Sequence, residues 1–267
     1  MNLVDVHCHL THESFTDLDK VLERAKKAGF KAIVVSGVNP ASNKQVLALA
    51  EKYPLIKASL GIYPIDALGK AESEISGFPR QTVPIDLKEQ FEFIEKNKDK
   101  TVSIGEVGMD FHWADKEETL EKQAETFRKI IRFAIKINKP IVIHSRKAER
   151  ECLDLMEEEI KNHEINVVNH CFSGKKSQIK KAAELGHYFS IPPNILRSHS
   201  FQTLVKMVPL IQLLTETDSP YLSPYPNQRN EPAFVVETIK KIAEIKEISE
   251  EKVAEQIWQN YRKVFGE

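Results

Sequence analysis

Short apolar segments alternate with helical patterns along the whole chain. Most of the predicted strands are followed by residues with helical spacing of their apolar side chains, and one long irregular stretch interrupts the series. The predicted strands are residues 3–9, 32–37, 56–61, 102–105, 140–144, 166–170, 188–191 and 212–215. The predicted helices are residues 17–28, 41–52, 86–97, 118–137, 146–163, 175–185, 200–207, 232–246 and 249–264. Because eight strands alternate with helices within 267 residues, the sequence predicts an α/β fold of the (β/α)8 TIM-barrel type. A single domain spanning residues 1–267 is expected.

The irregular stretch runs from Asp66 to Pro84 and contains Gly69, Gly77 and Pro79. It is longer than an ordinary connection between a strand and a helix. Since it follows the third predicted strand, it can lie over the mouth of the barrel as a lid. A contact with a partner or a surface loop explains the same composition, and the sequence does not decide between them.

Six side chains that can bind a metal lie at the ends of five predicted strands. In a barrel of this type, the reactive groups gather at the carboxyl ends of the strands. Four of the nine histidines fall there, whereas the other five lie in predicted helices or loops. One tetrahedral ion needs fewer donors, so two ions that share a carboxylate would use the full set. The six candidates are His7, His9, Glu106, His144, His170 and Asp218.

Asp5 shares a strand face with His7 and His9 because alternate side chains of a strand point to the same side. It lies one pleat repeat deeper than His7. We therefore expect Asp5 to orient a histidine or to fill a layer of the barrel, and not to bind metal. For any one of these residues, a hydrogen-bonded histidine or a helix-capping acid is the alternative.

Composition limits the partners and the compartment. The formal net charge is −1, so binding to nucleic acid would need a local basic patch or metal ions. The three cysteines show no paired spacing, which predicts free thiols in a reducing compartment. The first residues show no leader pattern, and no stretch approaches 18 apolar residues. We expect a cytoplasmic protein without membrane contact, and no obligate protein partner is evident.

Six stretches of the chain match one known family, namely Asp5-Val-His-Cys-His-Leu10, Gly105-Glu-Val-Gly-Met-Asp-Phe111, Val142-Ile-His-Ser-Arg146, Asn169-His-Cys-Phe-Ser-Gly174, Glu216-Thr-Asp-Ser-Pro-Tyr-Leu222 and Arg229-Asn-Glu-Pro232. On these stretches, the chain resembles the TatD-type metal-dependent hydrolases over nearly its whole length. This resemblance implies that one divalent ion is held by His7, His9, Glu106 and Asp218. It implies that a second is held by Glu106, His144 and His170, with Glu106 bridging. It also implies hydrolysis of phosphodiester bonds in DNA from a 3′ end, with magnesium or manganese, although the ligand types also suit zinc.

Further residues are candidates for proton transfer and substrate binding. Besides Glu106, Asp218 is the predicted catalytic residue, because a carboxylate at the ions can accept a proton from the attacking water. Arg146 can take a phosphate oxygen, and Ser173 with Lys175 can hold another. Helix capping and solvated charge explain these three equally well. Tyr221 can stack on a base, although a packed loop aromatic is the simpler interpretation.

One segment departs from the family pattern. The family usually shows Gly-x-His-Pro-His after the third strand, whereas this chain has Gly61-Ile-Tyr-Pro-Ile65. Tyr63 can keep a hydrogen bond to substrate, but Ile65 cannot. We expect the metals to remain and substrate positioning to differ. Hydrolysis of a small ester, lactone or cyclic amide is therefore an alternative. A non-catalytic metal-binding or scaffolding role is disfavoured by Asp218, a sixth ligand that a structural site would not need.

Overall fold

The computed structural model describes residues 1–70 and 83–266 and confirms the predicted barrel. Eight strands pair in parallel in chain order, from β1 to β8. Each strand carries an apolar run that is buried, as expected when helices cover a parallel sheet. The strands are β1 Leu3–Cys8, β2 Phe30–Ser36, β3 Ile56–Leu60, β4 Thr101–Gly108, β5 Ile141–His144, β6 Val167–Asn169, β7 Tyr188–Ile191 and β8 Leu213–Thr215.

Helices surround the strands, and several of them begin at a side chain that caps the first turn. Asn39 accepts a hydrogen bond from the backbone N–H of Ser42 at the start of α2, and Ser249 does the same for Lys252 at α10. Gly29 ends α1 with a φ of 98°, a left-handed conformation that favours glycine. The helices are α1 Leu18–Ala28, α2 Pro40–Lys52, α3 Pro64–Ala67, α4 Leu87–Lys96, α5 Lys116–Lys136, α6 Glu149–Ile160, α7 Lys176–Glu184, α8 His199–Met207, α9 Val235–Lys246 and α10 Glu250–Phe265.

Side-chain and loop hydrogen bonds join the first strand to the last. The Thr215 hydroxyl donates to the carbonyl oxygen of Val4 at 2.7 Å, and the backbone N–H of Asp218 donates to the carbonyl oxygen of His7 at 2.9 Å. These hydrogen bonds hold β1 beside β8 and nearly close the barrel. As a result, the residues after β8 lie directly beside the histidines of β1.

Most element boundaries differ from the sequence prediction by a few residues, and three of the differences bear on the candidate site. Strand β4 continues to Gly108, so Glu106 lies inside the strand and not beyond its end. Helix α6 begins at Glu149, so Arg146 belongs to the turn before the helix. The predicted stretch from Asp66 to Pro84 opens with the end of α3, a short helix that the sequence pattern did not indicate. Residues 71–82 of that stretch lie outside the described residues, and the lid hypothesis stays a prediction.

Two compositional predictions can be compared with the structure. The three cysteines are free, as predicted. Within residues 1–70 and 83–266, no helix has both the length and the hydrophobicity required to cross a bilayer.

Candidate metal centre

The barrel brings all six predicted metal ligands together. His7 lies in β1 and His9 follows it, and Glu106 lies in β4. His144 ends β5, and the remaining two candidates follow β6 and β8. Their donor atoms form overlapping groups near the carboxyl ends of the strands. The cluster forms because the ends of separate strands meet in the folded barrel. No single sequence motif contains all six residues.

The first group consists of His7 Nε2, His9 Nε2, Glu106 Oε2 and Asp218 Oδ1. Five of the six distances among these atoms lie between 3.2 and 3.6 Å. A tetrahedron with edges of this length has its centre about 2.1 Å from each corner, which is the distance at which zinc binds nitrogen and oxygen. The donor set therefore fits one divalent ion without rearrangement.

The second group surrounds the other oxygen of Glu106. Glu106 Oε1 lies 2.7 Å from His144 Nδ1 and 3.7 Å from His170 Nε2. The shorter distance is that of a hydrogen bond, whereas two donors about 2.1 Å from one ion lie about 3 Å or more apart. His144 must therefore move by a few tenths of an ångström to bind an ion here. The stacked rings of His7 and His170, with centroids 3.8 Å apart, connect the two groups.

Ser36, at the end of β2, contacts the Nδ1 atoms of both His7 and His9. Its hydroxyl lies 3.1 Å from His7 Nδ1, and its carbonyl oxygen lies 3.2 Å from His9 Nδ1. A carbonyl oxygen only accepts, so His9 carries a proton on Nδ1. The Nε2 lone pair of His9 is then directed at the first group of donors, as a metal-binding imidazole requires.

Carboxylates hold the other two histidines. His144 Nε2 donates to Asp110 Oδ2 at 2.8 Å, and His170 Nδ1 donates to Glu216 Oε2 at 2.8 Å. Asp110 and Glu216 are fully buried. Such carboxylates fix the tautomer and orientation of a metal-binding histidine. Each of the four imidazoles therefore has one nitrogen at the shared carboxylates and the other held by a partner.

The sequence interpretation missed three of these partners: Ser36, Asp110 and Glu216. Asp110 and Glu216 stand in the quoted motifs, four residues after Glu106 and two before Asp218. Their presence in these motifs was a signal that both carboxylates belong to the site. Their roles depend on which ring nitrogen of a distant histidine faces them, and spacing along one chain does not contain that information.

Asp5 lies below the centre and not behind an imidazole ring. Its carboxylate accepts hydrogen bonds from the backbone N–H groups of His7 and Thr217 and from the Thr217 hydroxyl. Burial is the largest influence and raises the pKa of Asp5 well above its usual value, against these hydrogen bonds. Asp5 therefore connects β1 to the segment after β8 as a buried barrel-layer group.

The buried carboxylates raise the pKa values of histidines beside them, so that protonated imidazoles balance the negative charge when no metal ion is bound. Burial has the largest effect on the pKa of His9 and lowers it, but hydrogen bonds to Asp218 and Glu106 outweigh burial and raise the pKa to about 10. The pKa of His144 also rises to about 10 against burial, through Asp110 and Glu106. Burial is the largest influence on the pKa of Glu106 and raises it. Hydrogen bonds to His144, His7 and His9 outweigh burial, so the pKa of Glu106 lies well below its usual value. The centre therefore holds negative charge that requires cations.

Two glycines permit close backbone packing next to the candidate ligands Glu106 and His144. A β-carbon at Gly61 would lie 2.2 Å from the backbone nitrogen of Glu106. A β-carbon at Gly108, whose φ is 144°, would lie 1.9 Å from the carbonyl oxygen of His144. No side chain can occupy either position without displacing a ligand-bearing backbone.

The predicted substrate residues lie around this cluster in different environments. Arg146 is exposed, with its guanidinium 5.5 Å from the ring centre of Trp113. Lys175 is also exposed at the start of α7, and the exposed Ser173 donates its hydroxyl hydrogen bond to Glu149. Tyr63 is buried, and its hydroxyl donates to Asp110.

Tyr221, the candidate for base stacking, is partly buried beside the first group of ligands. Its ring centre lies 6.5 Å from that of His9 and 5.8 Å from that of His12, in edge-on arrangements. The structure thus places Tyr221 at the mouth, packed against two histidines.

A family model described as "TatD related DNase" matches residues 4–266. The chain belongs to this family. It is 37% identical to a human protein named Deoxyribonuclease TATDN3, over 99% of this chain and 95% of the human protein. It is 31% identical to a Bacillus subtilis protein named as an uncharacterized metal-dependent hydrolase, YabD, with 98% of both chains covered.

The solved structures agree with the TatD family assignment. The crystal structure of YJJV, a TatD homologue from Escherichia coli, superimposes with a TM-score of 0.85 at 26% identity, covering 99% of this chain and 98% of that chain. The chain is thus a TatD-family hydrolase by descent, and its buried histidine and carboxylate cluster is suited to binding metal. The resemblance that the sequence motifs indicated is confirmed.

Proposed function

We propose that the chain is a two-metal deoxyribonuclease that hydrolyses phosphodiester bonds and removes nucleotides from the 3′ end of DNA. One observation carries this proposal: Glu106 directs one oxygen to His7 and His9 and the other to His144 and His170. A carboxylate divided between two sets of donors suits a bridge between two ions. The human relative named as a deoxyribonuclease supports DNA as the substrate.

Two overlapping ligand sets would hold the ions. One set is His7, His9, Glu106 and Asp218, and the other is Glu106, His144 and His170. Magnesium, manganese and zinc all bind such donors, and the high share of imidazole favours zinc or manganese over magnesium. The chemistry that paired divalent ions supply is polarisation of the phosphoryl oxygens and a lowered pKa of bound water.

Asp218 is the proposed general base. Its side chain is 16% exposed, compared with 5% for Glu106, so Asp218 is the ligand carboxylate that solvent reaches more easily. A carboxylate oxygen of Asp218 accepts a proton as the water oxygen attacks phosphorus. The ester P–O bond then breaks, and the departing oxygen takes up a proton.

Exposed cations beside the centre are the proposed phosphate contacts. Arg146 follows His144 by two residues, and Lys175 follows His170 by five residues. Arg146 can bind a phosphate through two parallel hydrogen bonds, and Lys175 can add a point charge. The Ser173 hydroxyl must leave Glu149 before it can bind a phosphate oxygen.

Single-stranded DNA labelled at either end tests the proposal. Purified protein with manganese or zinc should release the 3′ label first, and a chelator should abolish the release. Asp218→Asn should lower the rate by about 100-fold or more, as expected when a general base is lost. Asp154→Asn, which changes an exposed carboxylate on α6, is the matched control and should retain the wild-type rate. Release of the 5′ label first would contradict the 3′ polarity.

An apolar cluster beside the centre favours the second candidate, hydrolysis of a small ester, lactone or cyclic amide. The cluster follows β2, β3 and β4, on the side where the family pattern has two histidines. Turnover of such compounds by the same preparation, with no release of either DNA label, would support this candidate and exclude the first. The cluster consists of Val38, Tyr63, Ile65, Leu68 and Ala114, with Trp113 packed against it.

A further inference from the structure

The carboxylate of Asp110 is fully used by hydrogen-bond donors. Oδ2 accepts from His144 Nε2 at 2.8 Å and from the Tyr63 hydroxyl at 2.8 Å. Oδ1 accepts from the backbone N–H groups of His112 at 2.7 Å and Trp113 at 3.0 Å. An ionised carboxylate offers about four acceptor positions. The Tyr63 hydroxyl therefore completes the set that fixes Asp110 behind His144.

The backbone and ring of Tyr63 are held on several sides. The backbone N–H donates to the carbonyl oxygen of Val38 at 2.7 Å, and the residue immediately precedes α3, which starts with Pro64. Its ring packs in the apolar cluster with Ile65 and lies edge-on to His144, with ring centres 4.9 Å apart. Only 7% of the residue is exposed. The hydroxyl is thus aimed at Asp110 by a rigid support.

We propose that Tyr63 is a positioning residue of the metal centre, which acts on His144 through Asp110. The hydroxyl keeps the Asp110 carboxylate oriented so that Oδ2 accepts from His144 Nε2. A proton on Nε2 leaves the Nδ1 lone pair for an ion on the Glu106 Oε1 side. This inference rests on the proposed function insofar as His144 is a metal ligand. It replaces the substrate contact that the sequence suggested for Tyr63.

Loss of the Tyr63 hydroxyl should weaken the binding of only one of the two ions. His144 faces only Glu106 Oε1, whereas His7 and His9 face Oε2 and are held by Ser36. Tyr63→Phe keeps the ring and its packing and removes only the hydroxyl. Partners that orient metal-binding histidines change metal affinity by about 10–100-fold. Since Tyr63 acts only indirectly, through Asp110, we expect an effect at the lower end of this range. The ion on the Glu106 Oε1 side should bind about tenfold more weakly.

Calorimetric titration of the metal-free full chain with zinc measures this effect without DNA. Tyr53→Phe is the matched control, because Tyr53 also donates its hydroxyl to a carboxylate, that of Asp19, at an exposed position. Tyr53→Phe should bind zinc like the wild type, and Tyr63→Phe should lose about tenfold in one affinity only. Side-chain NMR spectra of His144 in the zinc-loaded protein should also show a changed Nε2–H signal in Tyr63→Phe.

Unchanged affinities in Tyr63→Phe, or equal weakening of both ions, would overturn the positioning role. If Tyr63→Phe does not fold, Asp110→Asn is titrated instead, and an unchanged second affinity there overturns the role too. A wild-type chain that binds only one equivalent of zinc would contradict the two-ion proposal. The Nε2–H signal of His144 would still decide the role of Tyr63, because the hydroxyl acts on that proton through Asp110. Failure of the DNA assay leaves this titration unaffected.

Discussion

Replacing Glu216 by Gln tests whether a carboxylate behind His170 sustains the metal centre. Glu216 Oε2 accepts hydrogen bonds from His170 Nδ1 at 2.8 Å and from the Ser190 hydroxyl at 2.7 Å. Glu216 Oε1 accepts from the backbone N–H of Cys171 at 2.9 Å. Glutamine has the same shape but only one acceptor oxygen. In either orientation its NH2 group faces a buried donor.

The expected loss of stability and of metal affinity follows from the contact between the glutamine NH2 group and a buried donor. A buried donor that loses its acceptor costs about 1–3 kcal/mol. Loss of a group that orients a metal-binding histidine reduces affinity by about 10–100-fold, or about 1.4–2.7 kcal/mol. We expect Glu216→Gln to weaken the ion bound by His144 and His170 within this range. The first group of donors should retain its ion.

Zinc titration of the chelator-treated chains, with a competing chelator to reach high affinities, provides the assay. Glu125→Gln is the control, because Glu125 is exposed on α5 and pairs with Lys129. This control should leave both affinities unchanged, which separates the effect of the buried hydrogen bonds from that of net charge. If Glu216→Gln binds both ions within twofold of the wild type and melts at the same temperature, the reasoning is refuted.

Three further predictions concern the bridge, the packing beneath it and a buried histidine. Glu106→Ala should bind neither ion, and a metal content near two per chain would contradict the bridge. Gly61→Ala should destabilise the chain by about 1–3 kcal/mol, measured by urea unfolding, because its β-carbon meets the backbone of Glu106; equal stability would show that the backbone yields freely. Burial lowers the pKa of His187 to about 4, so its unfolded state binds protons first as the pH falls below about 6.5. Folding stability should fall by about 2 kcal/mol from pH 7 to pH 5 through His187, so the stability difference between wild type and His187→Gln should change by this amount. A stability difference that stays the same at pH 7 and pH 5 would contradict this prediction.

The sequence pattern was sufficient to predict the barrel because strands and helices show different patterns of apolar residues. Apolar runs such as residues 32–37 mark strands that are covered on both faces, and spacings such as that of Val21, Leu22 and Ala25 mark one buried face of α1. Boundaries were less predictable. Helix α6 begins at Glu149 because residues 145–148 form a turn after His144, and local spacing does not distinguish such a turn from a first helical turn.

The clustering of the candidate ligands could be predicted from their places at strand ends, but the groups that hold their imidazoles could not. His144 and Asp110 come from different strands, and their contact depends on the rotation of the imidazole ring. Tyr63 illustrates the limit best. Its sequence position suggested a substrate contact, and only the fold shows that its ring is buried and its hydroxyl is used by Asp110.

The charges of the buried centre give an independent reason for two divalent ions. Asp5 is not counted here, because its carboxylate is held by the backbone N–H groups of His7 and Thr217 and by the Thr217 hydroxyl. Four acidic groups remain, which together carry four negative charges when ionised, and the four imidazoles are neutral when they bind metal. One divalent ion would leave two negative charges unbalanced in a buried site, a costly arrangement, whereas two would balance all four. Protons on several histidines take this place in the metal-free chain, so metal binding should release protons and strengthen as the pH rises. The four acidic groups are Glu106, Asp110, Glu216 and Asp218.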